Sequence, residues 1–319
     1  RKEGPLMPDL IIIGNCCADL YIPAHQPPPP GGIERIPQLR VEIGGNGANT
    51  AVTAARLGAS TALAGVLGDD LFGRHLREAL DSEGIDLSLL ESREDTGAPV
   101  TLVLNDADGE RSFVHHGGSN DTWEISAAAI EAPCRVFHMA APEILGSFWG
   151  EPCLDTAHGL KKAGVQLSLD FFVPPEELQK TEARDTHRPL LEIADMVFPN
   201  ELEARAITGK DTIDDILASL HDTGVSLAVI KRGAEGAVIS WDGNREDIPA
   251  AGVQAIDTCG AGDNFAGAFL AGWLKGLDPV ECARLGCEMG TLCVQQKGAV
   301  TASSDAAKLE ELIGRYGIG

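Results

Sequence analysis

Between Ile256 and Phe269 the chain reads IDTCGAGDNFAGAF, three glycines and two carboxylates on the approach to an apolar helix. Glycine is used where a backbone must bend unusually or come close to another group. Unpaired N–H groups at a helix start, at the positive end of the macrodipole, make an anion site. Gly260 and Gly262 would let the backbone approach that anion, and Asp263 falls in the first turn, facing the same space. A carboxylate there repels the anion, and two roles account for it. It can complement the helix dipole, or it can act as a general base, taking a proton from a hydroxyl that attacks phosphorus. The glycine spacing is neither the GxxxxGK[ST] of a P-loop nor GxGxxG.

The elements that must position this turn read as an alternation of strands and helices. DLIIIGN, after Met7, is a buried strand ending in a glycine turn, and RVFHMA, VQLSLD, DMVFPN and LAVIKRG are further apolar strands. GANTAVTAARLG (Gly47 to Gly58) and DLFGRHLREALDSEG read as helices, with STALAGVLG a strand between them. That rhythm predicts an α/β fold, a mostly parallel sheet with helices on both faces. Two segments break the rhythm. HQPPPPGG (His25 to Gly32) is too rich in proline for a central strand, and Pro99 to His116 alternates around DADG as a β-hairpin. They predict a small β excursion over one edge of the sheet, a lid formed by about residues 20–43 and 97–120 of a single domain spanning 7–319. Arg1 to Leu6 reads as a remnant of expression or processing.

Composition narrows the function. The 319 residues are 44% hydrophobic and 23% charged, enough to bury a sizeable core. With 48 acidic against 25 basic residues the net charge is −23, which opposes binding to nucleic acid or to an anionic membrane. An anionic ligand must then be held by local donors. The eight cysteines form no CxxC pair and sit mostly in apolar runs, as in a reduced, cytoplasmic protein. No signal peptide or membrane span is expected.

DTCGAGD (Asp257 to Asp263) resembles the DTxGAGD signature of the ribokinase-like carbohydrate kinases. Four further stretches match that family in its order. GGNGANTAVTAARLGASTALAGVLGDDLFG (Gly44 to Gly73) is similar to its N-terminal signature, and GNCCAD (Gly14 to Asp19) to its first strand and turn. PNELEARAITG (Pro199 to Gly209) resembles its NxxE motif, and VIKRGAEGAVIS (Val229 to Ser240) the strand–turn–strand beside its nucleotide. CEMGTLCVQQKGA (Cys287 to Ala299) is similar to its last long helix and loop.

The resemblance implies a three-layer α/β/α sandwich with a small β-sheet lid, and transfer of the γ-phosphoryl of ATP to a sugar or nucleoside hydroxyl. It places Asp263 as the base and the N–H groups of Gly260, Ala261, Gly262 and Asp263 as the anion hole. Asp19, Gly44, Gly45, Asn49 and Glu143 would hold the acceptor. Asn200 and Glu203 would organise Mg²⁺ through water, although S/T/D/N-x-x-E is equally a helix capping box. Gly233, Gly236 and Lys231 would line the nucleotide site, with Lys231 or Arg232 reaching a phosphate or simply solvated. Asp257 and the Cys259 carbonyl resemble part of a K⁺ site, and pairing through the lid implies a homodimer. Cys17 stands where the family has asparagine and Asn46 where it has lysine, which argues against ribose itself, and the lack of a basic cluster in the matching segments argues for a neutral sugar or a nucleoside. His115 and His116 read as lid or surface residues. Two readings from other classes remain: a non-catalytic sugar or nucleotide sensor, and a dinucleotide-binding oxidoreductase, which the missing GxGxxG disfavours.

Overall fold

The computed structural model describes residues 8–22, 30–33, 35–105, 111–174, 178 and 182–319. Arg1 to Leu6, most of the proline run and the DADG turn lie outside the described residues.

Nine strands form the main sheet: β1 (Leu10–Gly14), β4 (Thr61–Gly68), β5 (Leu90–Arg93), β8 (Val136–Ala140), β9 (Gln166–Asp170), β10 (Met196–Val197), β11 (Leu227–Lys231), β12 (Ala237–Trp241) and β13 (Asn244–Ile248). Their order is β13-β12-β11-β10-β9-β8-β1-β4-β5. Every pairing from β11 to β5 is parallel, and only β11–β12 and β12–β13 are antiparallel. The apolar runs read from sequence are these parallel strands, which need to be apolar on both sides because helices cover both. In β1, Leu10 and Ile12 enter one core and Ile11 and Ile13 the other. DMVFPN yields only two strand residues, because the chain turns at Pro199 to begin the next helix. NREDI of β13 is mostly exposed and carries no apolar alternation, so nothing in its composition marks it as a strand.

The helices are α1 (Asn46–Arg56), α2 (Leu71–Ser82), α3 (Ala127–Glu131), α4 (Glu151–Lys162), α5 (Glu182–Leu191), α6 (Glu201–Thr208), α7 (Ile213–Asp222), α8 (Ala261–Lys275), α9 (Pro279–Cys293), α10 (Ala299–Ala302) and α11 (Ala306–Tyr316). Residues of α1, α2, α8, α9 and α11 fill the core on one face of the sheet, and those of α3 to α7 the core on the other. This is the expected three-layer sandwich. Among the described residues no helix is long and apolar enough to cross a membrane.

The smaller sheet holds β2 (Cys17–Ile22), β3 (Arg40–Gly44), β6 (Val100–Asn105) and β7 (Arg111–His116) in the order β3-β2-β6-β7. Only Asn15 and Cys16 separate β1 from β2, so the chain steps directly from one sheet to the other. That step suspends Asp19 over the carboxyl end of the main sheet.

Candidate active site

A cleft of about 480 Å³ opens where the carboxyl ends of β9 and β11 meet the amino ends of α1 and α8. α8 starts at Gly260, whose φ of 71° is in the left-handed region, and no side chain caps it. Its leading N–H groups therefore lack the usual side-chain acceptor, and Ala261, Gly262 and Asp263 line the cleft.

Asp263 is 8% exposed. Its two carboxylate oxygens accept hydrogen bonds from Asn49 Nδ2 at 2.8 Å and Asn46 Nδ2 at 3.1 Å. Both asparagines sit on the first turn of α1, which packs along α8 and adds a bond from Thr53 Oγ1 to Asn264 Oδ1 at 2.9 Å. Burial pushes the Asp263 carboxyl up to about 6, with Asp170 reinforcing the rise and the Asn49 bond and Lys231 opposing it. A carboxylate serving only the helix dipole would rest ionised at the surface. A buried one with raised proton affinity is what a base near neutrality requires.

Asp19 lies on β2 opposite Glu42 of β3. Its carboxylate occupies the space a side chain at Gly44 would need, since a Cβ there would stand 2.2 Å from Asp19 Cγ. The Cys17 thiol donates to Asp19 Oδ1 at 3.3 Å. Burial raises Asp19 to about 6, against the hydrogen bonds from Cys17 and Thr101. Gly45 begins α1 with φ 93°. Asn49 departs in part from its expected role: its N–H end is committed to Asp263, which leaves Oδ1 buried and unpartnered beside the cleft. Asn46, read as a loss of polar reach, is a second donor to Asp263.

Two other residues, Glu143 and Arg232, fall differently from their sequence reading. Glu143 is turned into the protein, where His187 Nε2 lies 2.8 Å from Oε1 and the Phe172 N–H donates to Oε2 at 3.4 Å. Neither it nor Asp19, Gly44, Gly45 or Asn49 is among the residues lining the cleft, but Asn49 bonds Asp263 and Asp19 stands near enough to act on that carboxylate, whereas Glu143 is engaged with His187. The basic pair at 231–232 is not simply solvated. Lys231 is largely buried against Asp170, whereas Arg232 pairs with Glu201 and Glu235 away from the cleft. Burial pulls the Lys231 ammonium down, but Asp170 and Glu203 outweigh it and hold it above the usual lysine value.

Asn200 and Glu203 form a complete capping box, Glu203 N–H to Asn200 Oδ1 at 2.9 Å and Asn200 N–H to Glu203 Oε2 at 2.8 Å. Both also line the cleft, so the capping box does not turn them away from it. Gly233 and Gly236 line it as well, facing an apolar wall that includes Val253, Ala255 and Val294. Asp257 braces its loop by accepting from the N–H groups of Cys259 (2.8 Å) and Gly298 (3.0 Å), and the Cys259 carbonyl accepts from the Cys293 thiol at 3.1 Å. Among the described residues no group of three His, Cys, Asp or Glu side chains is placed to hold a metal.

Sequence reasoning overlooked Asp170. Its only signal is its position as the last residue of an apolar strand, VQLSLD, and in a mostly parallel sheet strand ends of this kind converge on the ligand.

The model of the pfkB family carbohydrate kinases matches residues 7–306. Ribokinase of Arabidopsis thaliana is 30% identical over 96% of this chain and 81% of its own length. Cytidine kinase of Thermococcus kodakarensis is 30% identical over 88% of this chain and 94% of its own. The structure of Arabidopsis thaliana ribokinase complexed with ribose and ATP superposes with a TM-score of 0.80 at 29% identity, covering 97% of this chain and 99% of that one.

Proposed function

This chain belongs to the pfkB family of carbohydrate kinases and is a phosphotransferase with an alcohol group as acceptor, and we propose that it transfers the γ-phosphoryl of ATP to a hydroxyl of a neutral sugar. The observation that carries the reading is the uncapped start of α8 with buried Asp263 in its first turn. Asp263 takes the proton of the attacking hydroxyl, oriented for it by Asn46 and Asn49. The N–H groups of Gly260 to Asp263 stabilise charge on the phosphoryl oxygens. Asp19, beside Gly44 and Gly45, grips the acceptor, and Asn49 Oδ1, buried and unpartnered, would accept from one of its hydroxyls. Gly233, Gly236 and the apolar wall hold the nucleotide, with Lys231 at its phosphates. Magnesium, reached by Asn200 and Glu203 through water, would neutralise phosphate charge in a strongly acidic protein. Closure of the smaller sheet excludes water and limits idle hydrolysis of ATP.

The acceptor is neutral because Lys231 is the one cation lining the cleft among the described residues, and it lies on the phosphate side. Around Asp19 stand the neutral Cys17 and Thr101 and the acidic Glu42, and the Asp19 and Glu42 carboxylates would repel a carboxylate or phosphate. A nucleoside acceptor is the second reading, favoured by the likeness to a cytidine kinase. ADP release with Mg·ATP against neutral sugars, nucleosides, acidic sugars and sugar phosphates, with and without K⁺, separates these. Stimulation by neutral sugars supports the proposal, and stimulation by nucleosides alone replaces it with the second reading. The K⁺ arm tests the loop at Asp257 and Cys259.

Two further outcomes are expected. The acidic limb of kcat/KM should fall near pH 6, since Asp263 must be ionised to act and its carboxyl sits at about 6. A limb near pH 4 would show that the base titrates as an exposed carboxyl. Folding stability has the opposite sign. A carboxyl raised on folding contributes stability that is fully present below its unfolded value and is lost as pH rises through about 6. The second outcome concerns assembly. Edge strand β7 leaves Phe113 and Val114 55% and 56% exposed, and we assign them to a homodimer contact through the smaller sheet. Sedimentation should give a dimer that Phe113→Glu converts to monomer, and a monomeric wild type would remove the contact. A cytoplasmic location accords with ATP as donor and with eight free cysteines.

A further inference from the structure

Lys231 and Asp170 end β11 and β9, two strands separated by β10. About 10 Å of sheet lies between their backbones, and the lysine side chain spans it. Its Nζ stands 2.8 and 2.6 Å from the two carboxylate oxygens of Asp170. Asp170 Oδ1 also accepts the Phe171 N–H at 2.8 Å. The same Nζ lies 3.0 Å from the point a Cβ on Gly262 would occupy, so the ammonium already rests against the first turn of α8.

A largely buried ion pair contributes little to stability compared with apolar packing of the same volume. Its place on the wall of the cleft calls for another account. Extending the kinase reading on which it rests, we propose that Lys231 is a catalytic cation for the transferring phosphoryl group and that Asp170 is the positioning residue that holds it until the phosphate arrives. A phosphate chain brings more negative charge than the single Asp170 carboxylate. The flexible lysine stem lets the ammonium turn from one to the other without leaving the cleft. Asp170 keeps its Phe171 N–H bond when the lysine moves, so neither partner is stranded.

The exchange has a readout at Asp263. The charged groups that face it are Asp19 from β2, Asp170 from β9 and Lys231 from β11, with Glu203 of α6 beside Lys231. From α1 it meets the neutral Asn46 and Asn49. The ionisable side chains of α9 are engaged elsewhere, Arg284 with Glu281 and Glu288 with Arg315 and Tyr316. Asp170 raises the proton affinity of Asp263 and Lys231 lowers it. Removing the Asp170 charge alone must therefore move the acidic limb of kcat/KM to lower pH.

The test compares three variants with the wild type, using calorimetric binding of ATP and AMP beside steady-state kinetics. Lys231→Met is expected to lower kcat by about 10²-fold and to erase the preference for ATP over AMP. Asp170→Asn frees the lysine, so ATP should bind more tightly while kcat falls and the acidic limb moves down. A merely structural role for Asp170 would weaken both binding and turnover; the limb follows the lost charge in either case, so tighter ATP binding with lower kcat is the result that marks a positioning role. The double variant Asp170→Asn/Lys231→Met removes both buried charges together and guards against a folding defect in either single one. Wild-type turnover in the double variant, or an unchanged ATP preference in Lys231→Met, overturns the proposal. Failure of the wild type to bind ATP at all would overturn the kinase reading and this inference with it.

Discussion

Asp263→Asn should lower kcat by about 10³-fold, the middle of the range for a lost general base, while ATP still binds. The substitution keeps the volume of the side chain and one acceptor oxygen, so one of the two bonds from Asn46 and Asn49 survives. What it removes is the capacity to take a proton. The anion hole is backbone and does not depend on the carboxylate, which is why nucleotide affinity should hold or improve as a negative charge leaves the cleft. Asp263→Glu is a useful companion, since it keeps the charge and misplaces it by one methylene. A rate within a few-fold of wild type in Asp263→Asn would return Asp263 to the role of a dipole partner.

Gly267→Ala is expected to damage fold and chemistry together. A Cβ at this position would lie 2.5 Å from the Thr50 carbonyl oxygen and 2.9 Å from Thr53 Cβ. The first of these is backbone, so α1 and α8 would have to separate. Overpacking of this kind costs roughly 1–3 kcal/mol, which should lower Tm by on the order of 5 °C. Because the Asn49–Asp263 bond lies one turn away along the same seam, kcat should fall several-fold as well. Gly314→Ala in α11 is the control. Its added methyl has open space around it, and replacing a helical glycine there should stabilise slightly. Equal behaviour of the two variants would show that the seam is looser than these distances indicate.

The parts of the site legible in the sequence are those whose residues are neighbours in the chain. The turn from Asp257 to Asp263, the start of α1 and the β1–β2 step each carry their geometry in glycines and caps within a few positions. Lys231 and Asp170 are 61 residues apart, and only the parallel pairing of β9, β10 and β11 brings them together. A reading along the chain shows an exposed-looking basic pair and an apolar strand end, and nothing that couples them. Glu143 failed for a related reason. Its fate is decided by His187 on α5, which competes with any ligand for the carboxylate. Asn200 and Glu203 were ambiguous because a single geometry satisfies both a capping box and a wall of the cleft. The hairpin at Pro99 to His116 was recognised from its alternation, yet its edge strand β7 is exposed on both faces, which alternation alone does not show.

The most direct measurement is phosphorus NMR of the wild-type chain with Mg·ATP and each acceptor of the panel. The account predicts that one neutral sugar yields a new phosphomonoester signal, growing at the rate the γ-phosphate signal of ATP disappears, with ADP in equal amount. ATP that stays intact with every acceptor, or that breaks down only to inorganic phosphate, would contradict the claim that this cleft transfers a phosphoryl group to a sugar hydroxyl.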